Sequence, residues 1–160
     1  VMKSARAVRS VQRLPLPSER DARWVAQEYV RWLPGFVWPF LRCETTEDGV
    51  CGFYVRGTRI RLLELTLSDQ HSYQGRELFH ITGGLLLRKG EARGRFEFRE
   101  VLDRKSVLAA IHDFTPTLPW HLYNLTQAVA HLWVMRGFGR HLARLAGRRE
   151  EPEGMTKSSQ

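Results

Sequence analysis

A chain of 160 residues that is 42% hydrophobic and 11% aromatic holds enough apolar material for one core and too little for two. That content excludes a disordered polymer, and 13 Gly with 7 Pro excludes a collagen-like or low-complexity chain. The net charge of +8 invites a polyanionic partner, while the lack of an apolar run long enough to cross a bilayer excludes a membrane-spanning helix.

Residues 5–13 read as a short strand of mixed pattern, stopped by Leu14-Pro15-Leu16-Pro17. Ser18 is then expected to cap a helix with Asp21 in its first turn, because Ala22, Val25, Ala26, Tyr29, Val30 and Leu33 recur at helical spacing. Pro34-Gly35 is expected to end it, since proline cannot continue the ladder and glycine tolerates the chain reversal. The short N-terminal stretch interleaves Arg with small residues instead of forming an apolar block, so a cytoplasmic location is expected.

From residue 37 to about 115 the period changes to two, interrupted at Glu47-Asp48-Gly49, Arg56-Gly57, 68–75, 88–92 and 103–106. About six strands result, and their short connections imply an antiparallel meander. In Arg95-Phe96-Glu97-Phe98-Arg99 the charges are expected to face water and the phenylalanines an apolar layer. Gly83-Gly84 falls in a strand-like run without the lysine or helix of a phosphate loop, which suggests a bulge. A hairpin centred on Glu47 would set Cys43 opposite Cys51, and two reduced thiols are expected there. Two cysteines are too few for a cysteine-based zinc site.

Residues 120–146 form a long proline-free stretch, expected to be a helix, and 147–160 a polar tail. On this helix Leu122, Leu125, Val129, Leu132 and Trp133 share one face, and Asn124, Gln127, Ala128, His131, Met135, Phe138, Leu142 and Leu145 another. If the first packs on the sheet, the polar trio faces water. If the second does, that trio lines a cavity and Leu122 to Trp133 is left for a second subunit, a homodimer. The second reading is preferred because it makes one continuous inward stripe and leaves Arg136, Arg140 and Arg144 in solvent. These arginines, with Arg6, Arg9, Arg13, Arg59 and Arg61, are dispersed along the chain, which argues against nucleic acid.

The order strand, helix, about six strands, long helix resembles the helix-grip, or START-like (SRPBCC), superfamily. The resemblance lies in Val8 to Ser18 as a first strand entering a proline-marked helix start, Trp32-Leu33-Pro34-Gly35-Phe36 as the loop before a second strand, and Phe114-Thr115-Pro116 through Leu118-Pro119-Trp120 as a last strand entering the terminal helix. A weaker resemblance is to bacterial members with an aromatic-rich terminal helix. It implies an α+β fold over residues 1–146, with a curved antiparallel sheet of about seven strands around the terminal helix. It also implies a pocket for a hydrophobic small molecule or lipid. Its expected lining is Phe53, Phe96, Phe98 and Ile111 from the sheet with Asn124, Gln127, His131 and Met135 from the helix.

No catalytic constellation, cofactor motif or metal spacing emerges. His121, His131 and His141 are ten apart, which rotates them off a shared face. His80 and His112, with Asp113 or Glu77, are the nearest approach to an acid/base pair, and Gly137-Phe138-Gly139 is expected only to bend the helix. The first functional reading is a noncatalytic carrier for an apolar small molecule, with or without anionic character. The alternatives are a cyclase or aromatase-type enzyme on the same fold, and a basic nucleic-acid-binding module.

Overall fold

In the computed structural model, residues 8–38, 40–68, 73–87, 94–115 and 127–149 are described. Strand β1 (Val8–Pro15) leads to helix α1 (Ala22–Phe36), then to β2 (Leu41–Thr45), β3 (Val50–Val55), β4 (Arg61–Leu67), β5 (Arg76–Gly83), β6 (Arg95–Val101), β7 (Ser106–Phe114) and helix α2 (Gln127–Arg149). The strands form one seven-stranded sheet in the order β1-β7-β6-β5-β4-β3-β2, antiparallel at every step. The expected meander holds from β2 to β7, and β1 closes it by pairing with the strand farthest away in sequence. The curved sheet wraps around α2. Residues 120–126 and 150–160 lie outside the described residues, and 147–149, expected to begin the tail, continue α2.

The N-cap of α1 is Asp21, not Ser18: Asp21 is extended and its carboxylate accepts the Trp24 N–H at 2.8 Å. The Ala22 N–H donates to Glu100 Oε1 of β6 at 2.9 Å, so two of the free amides at the helix start are bonded and the helix is tied to the sheet. Pro34 does not end α1. The helix continues to Phe36 and closes with the Val37 N–H on the Leu33 carbonyl at 3.0 Å, because a proline this late removes only one bond of the ladder. The buried face, Ala22, Val25, Ala26, Tyr29 and Leu33, covers the apolar side of β5 and β6.

Phe96 and Phe98 are buried on that apolar side, as their alternation requires. Glu97 departs from expectation. It lies on the outer face yet is buried, roofed by Arg76 and Arg99, each with Nε at 2.9 Å from Oε1. Burial pushes its carboxyl up, but the Arg76 hydrogen bond and the surrounding positive charge outweigh this and hold it below the ordinary carboxylate range. Glu77 faces the other way and pairs with Arg23 of α1 at 3.0 Å. His112 approaches Glu97 at 3.9 Å, so the conceivable pair of His112 with Glu77 is not formed: the sheet separates them.

The β2–β3 hairpin turns one residue later than expected. Cys43 pairs with Phe53 and Cys51 with Thr45, which centres the turn on Asp48, with Gly49 at φ +76° supplying the left-handed residue. In β5 the register slips beside Gly83, where Glu64 faces Gly83 and Leu65 faces Ile81. The next residue, Gly84, has φ +108° and lies against the Leu62 backbone, where a Cβ would sit 2.3 Å from the carbonyl oxygen.

Candidate functional site

The cavity arises from how α2 meets the rest of the molecule. Among the described residues its main Cα approaches are to β1 and α1. Two glycines make those approaches close. A Cβ on Gly137 would fall 2.5 Å from the Phe36 ring, and one on Gly139 would meet Leu14 at 3.3 Å. The glycines expected to bend α2 instead seat it, and the helix runs unbroken through them.

Toward its C-terminus α2 packs solidly. Met135, Phe138 and Leu142 are buried, and the Phe138 ring lies 5.2 Å from both Tyr29 and Trp32. His141 Nε2 lies 2.8 Å from Glu28 of α1, which adds a polar clasp. Toward its N-terminus the facing side chains shorten to Ala130 and Val134, and a cavity of about 220 Å³ opens between α2 and the sheet. Its far wall is β4, through Leu63 and Leu65, with Phe53 of β3 and Ile81 of β5. Phe96 of β6 and Ile111 of β7 continue it, and α1 contributes Tyr29 and Leu33.

Of the residues expected to line a pocket, Phe53, Phe96, Ile111, Gln127 and His131 border this cavity. Phe98 and Met135 do not. Phe98 has no exposure because Tyr29 and Phe138 cover it, with centroids at 5.7 and 6.3 Å. Met135 lies one helical turn deeper than His131, beside Phe138 in the filled part of the core. Asn124 lies outside the described residues, as do Leu122 and Leu125 of the expected subunit face. On that face Val129 and Trp133 are exposed, but the Trp133 ring already rests on Phe36 at 4.4 Å. Sequence periodicity missed Leu63, Leu65 and Val134 as wall residues, since nothing in an alternating strand distinguishes a side chain facing a void from one facing a neighbour.

The polar groups of the wall are few. Gln127 and His131 are four apart on α2 and hence adjacent on one face. Gln127 Oε1 is buried and has no hydrogen-bond partner among the described residues. Burial pulls the His131 imidazole below its ordinary value, so it is held neutral near pH 7. The Tyr29 phenol is pushed up, chiefly by burial and then by Cys51. No Asp, Glu, Lys or Arg occurs among the described residues of the wall, and no cluster of His, Cys, Asp and Glu suited to a metal ion occurs among the described residues. The exposed Arg136, Arg140 and Arg144 lie on the solvent side of α2, away from the cavity.

No family model and no curated protein matches the chain. Among solved structures, the crystal structure of Ara h 8.0201 superposes with a TM-score of 0.55 at 15% identity, covering 87% of this chain and 98% of that one. The chain has the helix-grip fold. A crystal structure of CalU16 from Micromonospora echinospora aligns at 12% identity and a TM-score of 0.40, over 89% of this chain and 83% of that one. Among the described residues no helix is long and apolar enough to cross a membrane.

Proposed function

We propose that the protein is a noncatalytic binder or carrier of a small, neutral, largely apolar molecule that bears one hydrogen-bond donor, held between α2 and β3 to β7. The single observation that carries this reading is Gln127 Oε1, buried at the edge of an otherwise apolar cavity and without a hydrogen-bond partner among the described residues. A buried acceptor without a partner costs about 1–3 kcal/mol, and a hydroxyl or N–H on a ligand removes that cost. The volume fits a modest guest, since a cavity of roughly 150 Å³ already takes up benzene and this one is about 220 Å³. A neutral His131 beside Gln127 and walls without charged side chains among the described residues disfavour an ionic ligand, because burying an unpaired charge is costly.

Three probes of one shape test this: 2-naphthol, naphthalene and 2-naphthoate. The expected result is a rise in thermal midpoint with 2-naphthol that is the same at low and high salt, a smaller rise with naphthalene, and none with the anion. Equal responses to all three, or a response that vanishes as salt rises, would overturn it and point to surface adsorption by the arginines.

A further inference from the structure

The β2–β3 hairpin holds a second chemical feature that the cavity does not use. Cys43 and Cys51 point to the same face of the sheet from diagonal positions, and their Sγ atoms are 2.7 Å apart with both thiols free. The two sulfurs differ in surroundings. Cys51 is buried in the core, whereas Cys43 is half-buried and borders a surface hollow with Pro34, Trp38, Arg42 and Arg56. A disulfide requires an S–S separation of about 2.05 Å, so closure asks for a sub-ångström approach. The strand that must move is suited to it: β2 is five residues long and stands at the sheet edge, bonded to β3 alone.

We propose that Cys43 and Cys51 form a peroxide-responsive dithiol, in which Cys43 is the attacking sulfur and Cys51 the resolving one. The Cys43 thiolate attacks one oxygen of hydrogen peroxide. The O–O bond breaks, the departing hydroxide takes up a proton as water, and Cys43 becomes a sulfenic acid. The Cys51 sulfur then attacks the Cys43 sulfur, the S–S bond forms, the S–O bond breaks, and hydroxide leaves with the Cys51 proton as a second water. Two thiols lose two electrons and two protons, and one peroxide is reduced to two waters.

The order of attack follows from the contact. The hydrogen bond between the two sulfurs, in which Cys51 donates once Cys43 is the thiolate, brings the Cys43 thiol down to about 7 against the opposing effect of burial. The same contact, together with burial, pushes Cys51 up, so at neutral pH the accessible sulfur is the nucleophilic one. Phe53 and Leu65, the cross-strand neighbours of Cys43 and Cys51, are cavity walls, so the bond forms beside the pocket. Its chemistry needs no ligand there.

The test is hydrogen peroxide treatment of the full chain near neutral pH, read by intact mass and by the tryptic peptide spanning 43–56, which carries both cysteines. The expected product is a monomer lighter by about 2 Da within that one peptide, restored by dithiothreitol. In Cys51→Ser the reaction stops at a dimedone-trappable sulfenic acid on Cys43. In Cys43→Ser peroxide consumption falls about tenfold or more. The midpoint of Cys43 alkylation against pH lies near 7 and moves upward in Cys51→Ala, which loses the donor thiol. Thiols that survive peroxide in the native chain but oxidise once it is denatured would overturn the assignment. So would disulfide-linked dimers, or a Cys43→Ser variant that reacts as fast as the parent.

Discussion

Along α2, the C-terminal half is packed solid while the N-terminal half stands away from the sheet. Phe138 and Leu142 are fully buried, Phe138 against Tyr29 and Trp32 of α1 and Phe98 of β6, whereas Gln127 and His131, two to four turns earlier, border about 220 Å³ of unfilled space. Both halves belong to one inward stripe with one periodicity. What separates them is the size of the facing side chains and the two glycines that fix where the helix is seated. Aromatic rings meet edge to face at one end, while Ala130 and Val134 leave a gap at the other. The same helix is therefore a core element at one end and a cavity wall at the other.

The solid end carries the largest expected effect. Phe138→Ala is expected to cost about 3–5 kcal/mol by urea denaturation, the range for removing a buried aromatic side chain. A loss below about 1 kcal/mol would mean that this end is not tightly packed. Enlarging a side chain separates the halves more sharply. Leu142→Phe should cost about 1–3 kcal/mol through overpacking, while Val134→Phe, directed into the void, should cost less than about 1.5 kcal/mol and abolish 2-naphthol binding. Equal costs at the two positions would contradict the difference between them.

Gln127→Leu is expected to stabilise the unliganded protein by about 1 kcal/mol, since it removes a buried acceptor that has no donor among the described residues. It should also erase the preference of the cavity for 2-naphthol over naphthalene. The smallest effect concerns pH. Burial holds the folded-state pKa of His131 below its ordinary 6.5, so as pH falls through that value the unfolded chain takes up the proton first. Stability contributed by the neutral ring is thus full above about pH 6.5 and declines below it. His131→Leu should flatten this part of the pH profile relative to the parent, as measured by thermal midpoints between pH 7 and 5.

Much of this architecture is legible in the residues. The i, i+3, i+4 spacing of Ala22 to Leu33 and the alternation around Phe96 and Phe98 are local consequences of helix and strand geometry. The pairing of β1 with β7 is not local. It joins residues such as Arg13 and Leu108, and no neighbouring sequence encodes it. The residues point to Ser18 as the cap, whereas the structure puts it at Asp21, and the bond from the Ala22 N–H to Glu100 ties that helix start to the sheet across the fold. Glu97 reads as a solvent-facing charge until Arg76 and Arg99 are seen to cover it. Likewise Phe98 and Met135 share a periodicity with true wall residues, and only the position of α1 and Phe138 shows that they are filled over. The thiol pair was visible as a hairpin feature, but the side-by-side contact of the sulfurs depends on the register of the strands and not on spacing.

A guest seated between the N-terminal half of α2 and β4 is expected to give intermolecular NOEs from bound 2-naphthol to methyl groups of the protein. Cross-peaks to Leu63, Leu65, Ile81 and Val134, with the naphthol hydroxyl end nearest Gln127, are the predicted result. Cross-peaks instead to Val11 and Leu108, which line a shallow groove on the outer face of the sheet, would contradict it.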